Sequence, residues 1–541
     1  MACGGVAADM ASEGKGASTC NSTAASAGTA TVSAVGTYPC YGTFTQGFGP
    51  PIFAISTMDY GFFAQDNWKL NPRLTLELGL RYDYEALPGS AANATLTAAS
   101  GTFVPYTGLT NAPSDKNNFG PRVGFAYDLF GNGKSVLRGG YGMYYGRITN
   151  GVLLNVLLNT GSPLGQFTAS LKPNAAGAPT FPNIVPAGTP PTPGSYYLAS
   201  NLQNPMVHEF DLIVQQELGK GTFFSVSWVG ALGRELTNFT DLNLNPTLTN
   251  TTITVVDPKG LGPLSNGQQF VVPQYTAYGN TAIFGSAASK FTNITEVTSN
   301  VNSSYNGLVA EIQNRSLRSL QFDVNYVWAH ALDFNQNATT TNTTNNQYDP
   351  LGSQKSDYGN SNYNVPNRIT GYVLYNLPNT HRADWVKYFA NDWALNSAFQ
   401  AQNGLPYSAS LSGYASAGAL NSSWNGAGGT SWIPVLGRNT YKYPRDIVQD
   451  LRVQKQILFT ERYRGELRVD LFNIYNHQNV TGVQSTAYQL QSGSGATANT
   501  ATATFQDGTG STALFGSANN SNSSGFLYTP RQVQIGFKFL F

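Results

Sequence analysis

The chain has 541 residues, a formal net charge of +1 and a mean hydropathy of −0.22. Charged residues make up 11% of the chain and aromatic residues 12%, a composition that suits the surface of soluble domains poorly. The nearly neutral charge and the lack of a Lys/Arg cluster argue against a nucleic-acid partner. The 30 Tyr, 30 Phe and 57 Gly instead favour an all-β protein with many turns and girdles of aromatic side chains.

Residues 1–58 show no periodic pattern and are predicted to be a loop-rich segment. They contain Cys3, Cys20 and Cys40, whose spacing matches neither a zinc site nor a CxxC redox pair. A single disulfide in an oxidising exterior is the expected use of two of these thiols, and the pairing stays open. The segment has no basic start followed by an apolar core, so we do not expect a secretory signal in it.

Residues 59–85, DYGFFAQDNWKLNPRLTLELGLRYDYE, predict one long β-hairpin with its turn at Asn71–Arg73. Every even-numbered residue from Leu74 to Tyr84 is Leu or Tyr, whereas the odd-numbered residues are polar, charged or Gly. One face of this strand is therefore apolar and the other is wet. An alternation of this length suits a tilted strand that crosses a bilayer of about 30 Å.

The same unit recurs along the chain. We predict five further hairpins and a single last strand, at residues 122–145, 209–228, 308–328, 368–402, 450–471 and 532–541. The apolar segment GVLLNVLL at residues 151–158 is too short for a membrane helix. No longer apolar run exists, so a membrane-embedded chain of this sequence would cross with strands.

The connections between predicted strands fall into two length classes. Those within hairpins are short, whereas the others are long, at residues 87–119, 147–205, 236–304, 332–365, 405–446 and 478–528. Short periplasmic turns and long extracellular loops are typical of a bacterial outer-membrane barrel. We therefore predict an antiparallel transmembrane β-barrel of about 13 strands, with the C-terminus in the periplasm. Because bacterial single-chain barrels have even strand numbers, we expect further strands upstream of this chain.

Four segments resemble the C-terminal barrel half of TonB-dependent outer-membrane receptors, and specifically Oar-like proteins: FAQDNWKLNPRLTLELGLRYDY, FGPRVGFAYDLFGNGKSVLRGGYGMYY, QAQNGLPYS and DLRVQKQILFTERYRGELRVDLFNIYNHQNV. The resemblance covers residues 59–541 and implies the C-terminal part of a 22-stranded barrel, with residues 1–58 as an extracellular loop. Family members take up ligands through a plug that contacts the TonB system, and we expect that plug to lie outside this chain. The terminal Phe541 resembles the signal read by the barrel assembly machinery; outer-membrane lipid is the other expected partner.

The charged residues on the wet face predict a water-filled lumen that contacts a plug, rather than an acid/base pair. They are Glu77, Arg81, Asp83, Arg122, Arg138, Asp211, Glu311, Asp323, Arg452, Arg464, Arg468 and Asp470. The four histidines, His208, His330, His381 and His477, are not at metal-ligand spacing from one another. GNGKS at residues 131–135 lacks the earlier glycine of a phosphate-binding loop, and no GxSxG motif is present. We predict no catalytic, cofactor or metal site and no enzyme activity, and the substrate-binding residues stay unassigned.

Three functions fit these patterns. The first is the barrel portion of a TonB-dependent transporter. The second is a self-contained outer-membrane porin or surface-adhesion barrel of about 14 strands, closed by a weak strand near residues 31–38. The third is a secreted soluble β-protein or enzyme. In each case the long loops, which are rich in Asn, Ser, Thr, Gly and Tyr, are interpreted as solvated surface loops.

Overall fold

A computed structural model describes residues 44–48, 56–87, 96–98, 101–103, 115–158, 167–171, 179, 184–185, 194–247, 249–317, 319–334, 347–380, 385–416, 420, 423–429, 432–460, 462–493, 499–509, 513–521 and 528–541. Cys3, Cys20, Cys40, His381 and the weak strand predicted at residues 31–38 lie outside these ranges. The expectations for them therefore stay predictions.

The main element is one large antiparallel sheet whose strands pair with their neighbours in chain order. Its thirteen principal strands are β1 (Met58–Asn71), β2 (Leu74–Ala86), β3 (Phe119–Asp128), β4 (Ser135–Tyr145), β5 (Met206–Gly219), β6 (Thr222–Asp241), β7 (Ile294–Asn314), β8 (Leu320–Asp333), β9 (Asn367–Asn376), β10 (Trp393–Gln402), β11 (Asp446–Leu458), β12 (Arg464–Phe472) and β13 (Gln532–Leu540). The predicted class, strand number and pairing order are confirmed.

The hairpin turns follow from local sequence. At the β5–β6 turn, Gly219, Lys220 and Gly221 all have positive φ, at 108°, 51° and 69°, a backbone that glycine adopts readily. At the β3–β4 turn, the Asp128 carboxylate accepts hydrogen bonds from the backbone N–H groups of Gly131 and Gly133, at 2.9 and 2.8 Å. GNGKS is thus part of a hairpin turn that its own aspartate organises.

The two faces of the sheet differ as the alternation predicts. Leu212, Trp228, Leu308 and Trp328 lie side by side across β5 to β8, and all four are exposed. All the charged residues predicted for the wet face lie on the opposite face. Paired residues on neighbouring strands lie on the same face, and following the pairs from β2 to β13 places all of these charged residues together. We call these the apolar face and the charged face.

The sheet has two unpaired edges within the part of the chain that the structure describes. β1 pairs with β2 alone and β13 pairs with β12 alone, so the first and last principal strands do not meet. Every residue of β1 is exposed, and all but one of β13 are exposed. Each edge therefore presents a row of backbone N–H and C=O groups that a further strand could pair with.

Most of the helical segments in the described residues lie in the long connections. They are α1 (Asn150–Leu158), α2 (Thr281–Phe284) and the 3₁₀ turns Gly285–Lys290 and Gln354–Asp357. A further short helix, α3 (Val386–Ala390), lies in the β9–β10 connection. Of the helices in the described residues, none has the length and apolar character to cross a membrane. The apolar segment at residues 151–158 is α1, and its Val152, Leu153 and Val156 pack in a buried cluster with Tyr196 and Phe239.

Three loop expectations need correction. Part of residues 1–58 is a strand, because Phe44–Phe48 pairs with Phe167–Leu171. The loop predicted at residues 236–304 is shorter, since β6 continues to Asp241 and β7 begins at Ile294. Further short strands also lie in the long connections, at Leu96–Ala98, Gly101–Phe103, Ser195–Leu198, Gly359–Asn360, Pro406–Tyr407, Tyr441–Lys442, Gly482–Val483 and Ala518–Asn520.

The largest correction concerns the long loops as a group. Five of their strands form a second sheet in the order Gln269–Gln274, Thr249–Val256, Thr500–Phe505, Thr486–Ser492 and Ser410–Ser412. One side of this sheet covers a hydrophobic core that includes Ile253, Trp424, Trp432 and Tyr488. We call this sheet and its core the loop cap. The loops were predicted to be solvated, yet several of them pack together like a small domain.

Candidate functional site on the charged face and the loop cap

The charged face of β1 to β6 forms an open concavity of about 710 Å³. Its floor is rich in glycine. At Gly140 a larger residue would crowd Asp211, because an added Cβ would lie 2.8 Å from Oδ1 of that aspartate. Charged residues of both signs line it, namely Glu77, Arg122, Arg138, Glu209 and Asp211. The small floor and the charged rim leave room for a polar ligand or for another protein segment.

Two of the charges in this concavity, Glu77 and Arg122, have partners within the sheet. Gln65 Nε2 donates to Glu77 Oε1 at 2.5 Å, and the Arg122 guanidinium lies 4.5 Å from the centre of the Tyr144 ring. The Nε of Arg122 is buried and has no hydrogen-bond acceptor among the described residues. A buried N–H without an acceptor is unfavourable, so Arg122 is a candidate to bind an incoming acceptor group.

Further along the charged face, opposite charges form ion pairs. Arg452 Nε and Asp470 Oδ1 are 2.5 Å apart, and Arg315 Nη2 and Asp323 Oδ2 are 2.9 Å apart. A partly exposed ion pair of this kind contributes about 0–1 kcal/mol to stability. These groups are paired with each other rather than placed beside a nucleophile. The arrangement therefore describes a hydrated protein surface and contains no acid/base machinery that we can identify in the described residues.

The histidines that the structure describes lie in three separate places. His208 Nδ1 is 2.8 Å from the Tyr141 hydroxyl, and His330 Nε2 is 2.9 Å from Oδ1 of Asn360. His477 Nε2 is 3.0 Å from the carbonyl oxygen of Arg445. No group of three or more His, Cys, Asp or Glu that could hold a metal ion occurs in the described ranges.

A buried arginine, Arg438, links the loop cap to the main sheet. The Arg438 side chain is only 2% exposed, and it pairs with Asp333, the last residue of β8. Its Nε also donates to the backbone carbonyl of Asp357 at 3.1 Å. The Arg438 guanidinium thereby links the end of β8 to the loop segments that contain Asp357 and Arg438.

The carboxyl group of Asp357 is fully buried in the same region. Burial raises the pKa of Asp357 to about 7, although the Tyr348 backbone N–H, at 2.9 Å, and the nearby Arg438 both favour the charged form. The Tyr348 ring in turn lies 5.8 Å from each of the Trp424 and Trp432 rings. The Asp357 carboxyl group is therefore one hydrogen bond away from a residue in the aromatic core of the loop cap.

Sequence reasoning missed the loop cap, and one signal could have revealed it. Residues 500–505, TATATF, and 252–256, TITVV, alternate with a period of two within stretches assigned to loops. Both segments are short and lack charge, and both are rich in Thr, which resembles solvated loop composition. Their pairing joins segments far apart in the chain, and periodicity alone does not reveal such partners.

An antiparallel sheet with an exposed apolar face and a charged opposite face defines a β-barrel type of membrane protein. The family model of the outer membrane beta barrel domain matches residues 9–430. The chain belongs to this family, whose proteins lie in the bacterial outer membrane.

The chain is also similar to individual transporters and receptors. The TonB-dependent transporter Oar of Myxococcus xanthus is 31% identical over 88 residues, which cover 16% of this chain and 7% of Oar. The outer membrane transporter YddB from Escherichia coli has a TM-score of 0.39 at 14% identity, over 79% of this chain and 42% of YddB. The ferripyoverdine receptor of Pseudomonas aeruginosa has a TM-score of 0.39 at 10% identity, over 90% of this chain and 38% of the receptor. The chain thus spans less than half the length of these relatives.

Proposed function

We propose that this chain is the C-terminal barrel portion of an Oar-like TonB-dependent transporter, which is not an enzyme and takes up a ligand in its full-length form. The observation that carries the proposal is the pair of unpaired sheet edges, β1 and β13, on a sheet of thirteen principal strands. A transporter barrel of about 22 strands would supply about nine more strands between these edges. The local similarity to Oar supports the same assignment.

The proposal includes an orientation and a set of partners. Residues 59–541 form the barrel portion, and residues 1–58 belong to an extracellular loop. The turns between β1 and β2 and between β3 and β4 face the periplasm, as does the C-terminus, and the loop cap faces the exterior. The apolar face contacts outer-membrane lipid, and the strand ending at Phe541 is read by the barrel assembly machinery. Contact with the TonB system would go through a plug on the upstream portion.

The proposal that further strands complete the barrel is tested with the coding sequence upstream of Met1. We expect an in-frame plug and further strands there. The longer chain should reach the outer membrane in a form that migrates anomalously on unheated SDS gels, as closed barrels do. The 541-residue chain alone should not show this form. Closure of the short chain by itself would overturn the proposal in favour of the self-contained barrel.

The orientation is tested separately with inserted epitope tags. A tag between Asp507 and Thr509, in the loop cap, should be labelled by antibody on intact cells. A tag between Gly131 and Gly133 should be labelled only after the outer membrane is permeabilised. The reverse pattern would overturn the orientation and leave the family assignment in place.

A further inference from the structure

The β9–β10 connection is unlike the other short connections, because it contains the helix α3. Trp385, Tyr388 and Phe389 have the spacing i, i+3 and i+4, which places them on one side of a helical turn. All three are exposed, Trp385 by 71% and Phe389 by 70%. Such an aromatic surface is unfavourable in water, whereas aromatic side chains are enriched at the membrane–water interface.

The hydrogen bonds of α3 place it beside the apolar face. Trp393, at the start of β10, donates from Nε1 to the carbonyl oxygen of Phe389 at 2.6 Å. One row of paired residues crosses four strands from β10 to β13 and consists of Trp393, Lys455, Leu467 and Phe537. This row belongs to the apolar face, and Leu467 and Phe537 are exposed. The aromatic surface of α3 therefore continues the apolar face at its short-turn end.

Cations lie next to these aromatic rings. A concavity of about 560 Å³ between α3 and the end of β11 is lined by Lys387, Lys455 and Arg464, with Asp392 as its acidic group. The three positive groups outnumber the one negative group by two, whereas the whole chain has a net charge of only +1. The concavity thus concentrates positive charge where the apolar face ends.

Lys455 is unusual because its charged side chain is on the apolar face. The residue is only 7% exposed, and its ammonium group donates a hydrogen bond to the backbone carbonyl of Asn391. Its Nζ lies 5.8 Å from the Trp393 ring centre, and Lys387 Nζ lies 5.0 Å from that of Tyr388. An ammonium group has three protons to donate, so this backbone contact leaves Lys455 able to bind an anion.

We propose that α3 and the neighbouring end of β11 bind the headgroup of an anionic phospholipid, with the aromatic side chains in the acyl–headgroup boundary. The inference rests on the proposed membrane position of the apolar face. Lys387 and Lys455 supply the charge for a lipid phosphate, and the continuity of α3 with the apolar face selects a lipid over a soluble anion. This site is separate from the concavity on the charged face and from the loop cap.

The first test measures lipid binding by native mass spectrometry, using the folded, detergent-solubilised full-length protein in which the upstream portion completes the barrel. The variants are Lys387→Gln, the double variant Lys387→Gln/Lys455→Gln, and Lys134→Gln as a matched control on another turn of the same rim. A lysine near a lipid headgroup contributes enough to change phosphatidylglycerol affinity about fivefold. We expect that loss for Lys387→Gln, a larger loss for the double variant and none for Lys134→Gln.

Two results of this experiment would overturn the inference. One is equal phosphatidylglycerol affinity of Lys387→Gln and the Lys134→Gln control. The other is displacement of the lipid by an equal concentration of inorganic phosphate, which would indicate a site for a free anion. Because Lys387 is only half-buried, the single variant remains informative even if the change at buried Lys455 prevents folding.

The second test locates Trp385 with lipids brominated close to the headgroup. In vesicles, these lipids should quench less of the total tryptophan fluorescence in Trp385→Phe than in the unchanged protein. Quenching that is the same in both proteins would contradict the site at α3. An absence of quenching in the unchanged protein would instead show that the apolar face is not in lipid, so failure of the proposed function is distinguished from failure of this inference.

Discussion

The main sheet and the loop cap use the same alternation of apolar and polar residues in opposite ways. On the sheet, Trp328 is 61% exposed on the apolar face, whereas Trp424 in the loop cap is 1% exposed. Both are surrounded by other apolar side chains, but those of the sheet point outward and those of the cap point inward. This difference is expected if lipid surrounds the apolar face of the sheet, as proposed, and water surrounds the cap.

The largest effect should come from the core of the cap. Replacement of a fully buried Trp by Ala typically costs about 3–5 kcal/mol. We expect Trp424→Ala to unfold the cap locally, seen as faster hydrogen exchange in residues 486–505. Trp328→Ala is the matched control, because its side chain is exposed and its loss leaves no cavity. Equal effects of the two changes on the cap would contradict its description as an independent core.

A charge on the apolar face should cost nearly as much. Leu80→Arg places a guanidinium on the apolar face beside its paired residues Ala64 and Pro121, at a cost of about 2–4 kcal/mol near the membrane midplane. We expect a clear fall in outer-membrane yield. Thr75→Arg on the charged face is the control and should have a mild effect. Comparable yields of the two variants would remove the assignment of the lipid-facing side.

The cap should lose stability as pH rises. Burial raises the pKa of Asp357 from 3.8 to about 7, so the folded cap holds this proton more tightly than the unfolded chain. The associated stabilisation is present in full at acid pH and is lost between pH 4 and 7. Over this pH range it amounts to at most about 4 kcal/mol.

Asp357→Asn tests this coupling. The variant should flatten the dependence of cap protection on pH, as measured by hydrogen exchange at pH 5 and pH 8 after correction for the intrinsic exchange rate. If the pH dependence is unchanged in the variant, titratable groups other than Asp357 cause it. Asp392→Asn is a suitable control because the half-buried Asp392 lies far from the cap, at the opposite end of the strands.

The smallest effect should come from the ion pairs of the charged face. The Arg452 side chain is partly exposed to water although Asp470 is buried, so their coupling in a double-mutant cycle should be about 0–1 kcal/mol. Arg452→Ala, Asp470→Ala and the double variant are compared by urea unfolding in vesicles. A coupling energy well above this range would mean that this ion pair is less exposed to water in the barrel than its exposure in the sheet indicates.

Much of the main sheet could be read from the sequence. The pairing of Val123 with Tyr141 and of Leu451 with Leu471 agrees with the predicted hairpins. Each such pair is joined by a short turn, so the partner of a strand is its neighbour in sequence. The charged residues could likewise be assigned to one face, but their individual contacts, such as Arg122 with Tyr144, could not.

The sequence by itself determined the strands, their order and the face on which each side chain lies, because all three depend on a period of two and on local turns. Only the tertiary structure decided that the loops pack together. The Leu264 backbone N–H donates to the Tyr488 hydroxyl at 2.9 Å across 224 positions of the chain, and Thr252–Val256 pairs in parallel with Thr500–Thr504. Such contacts depend on the strands bringing distant loops to the same end of the sheet. Local periodicity does not indicate which loops will pack together there.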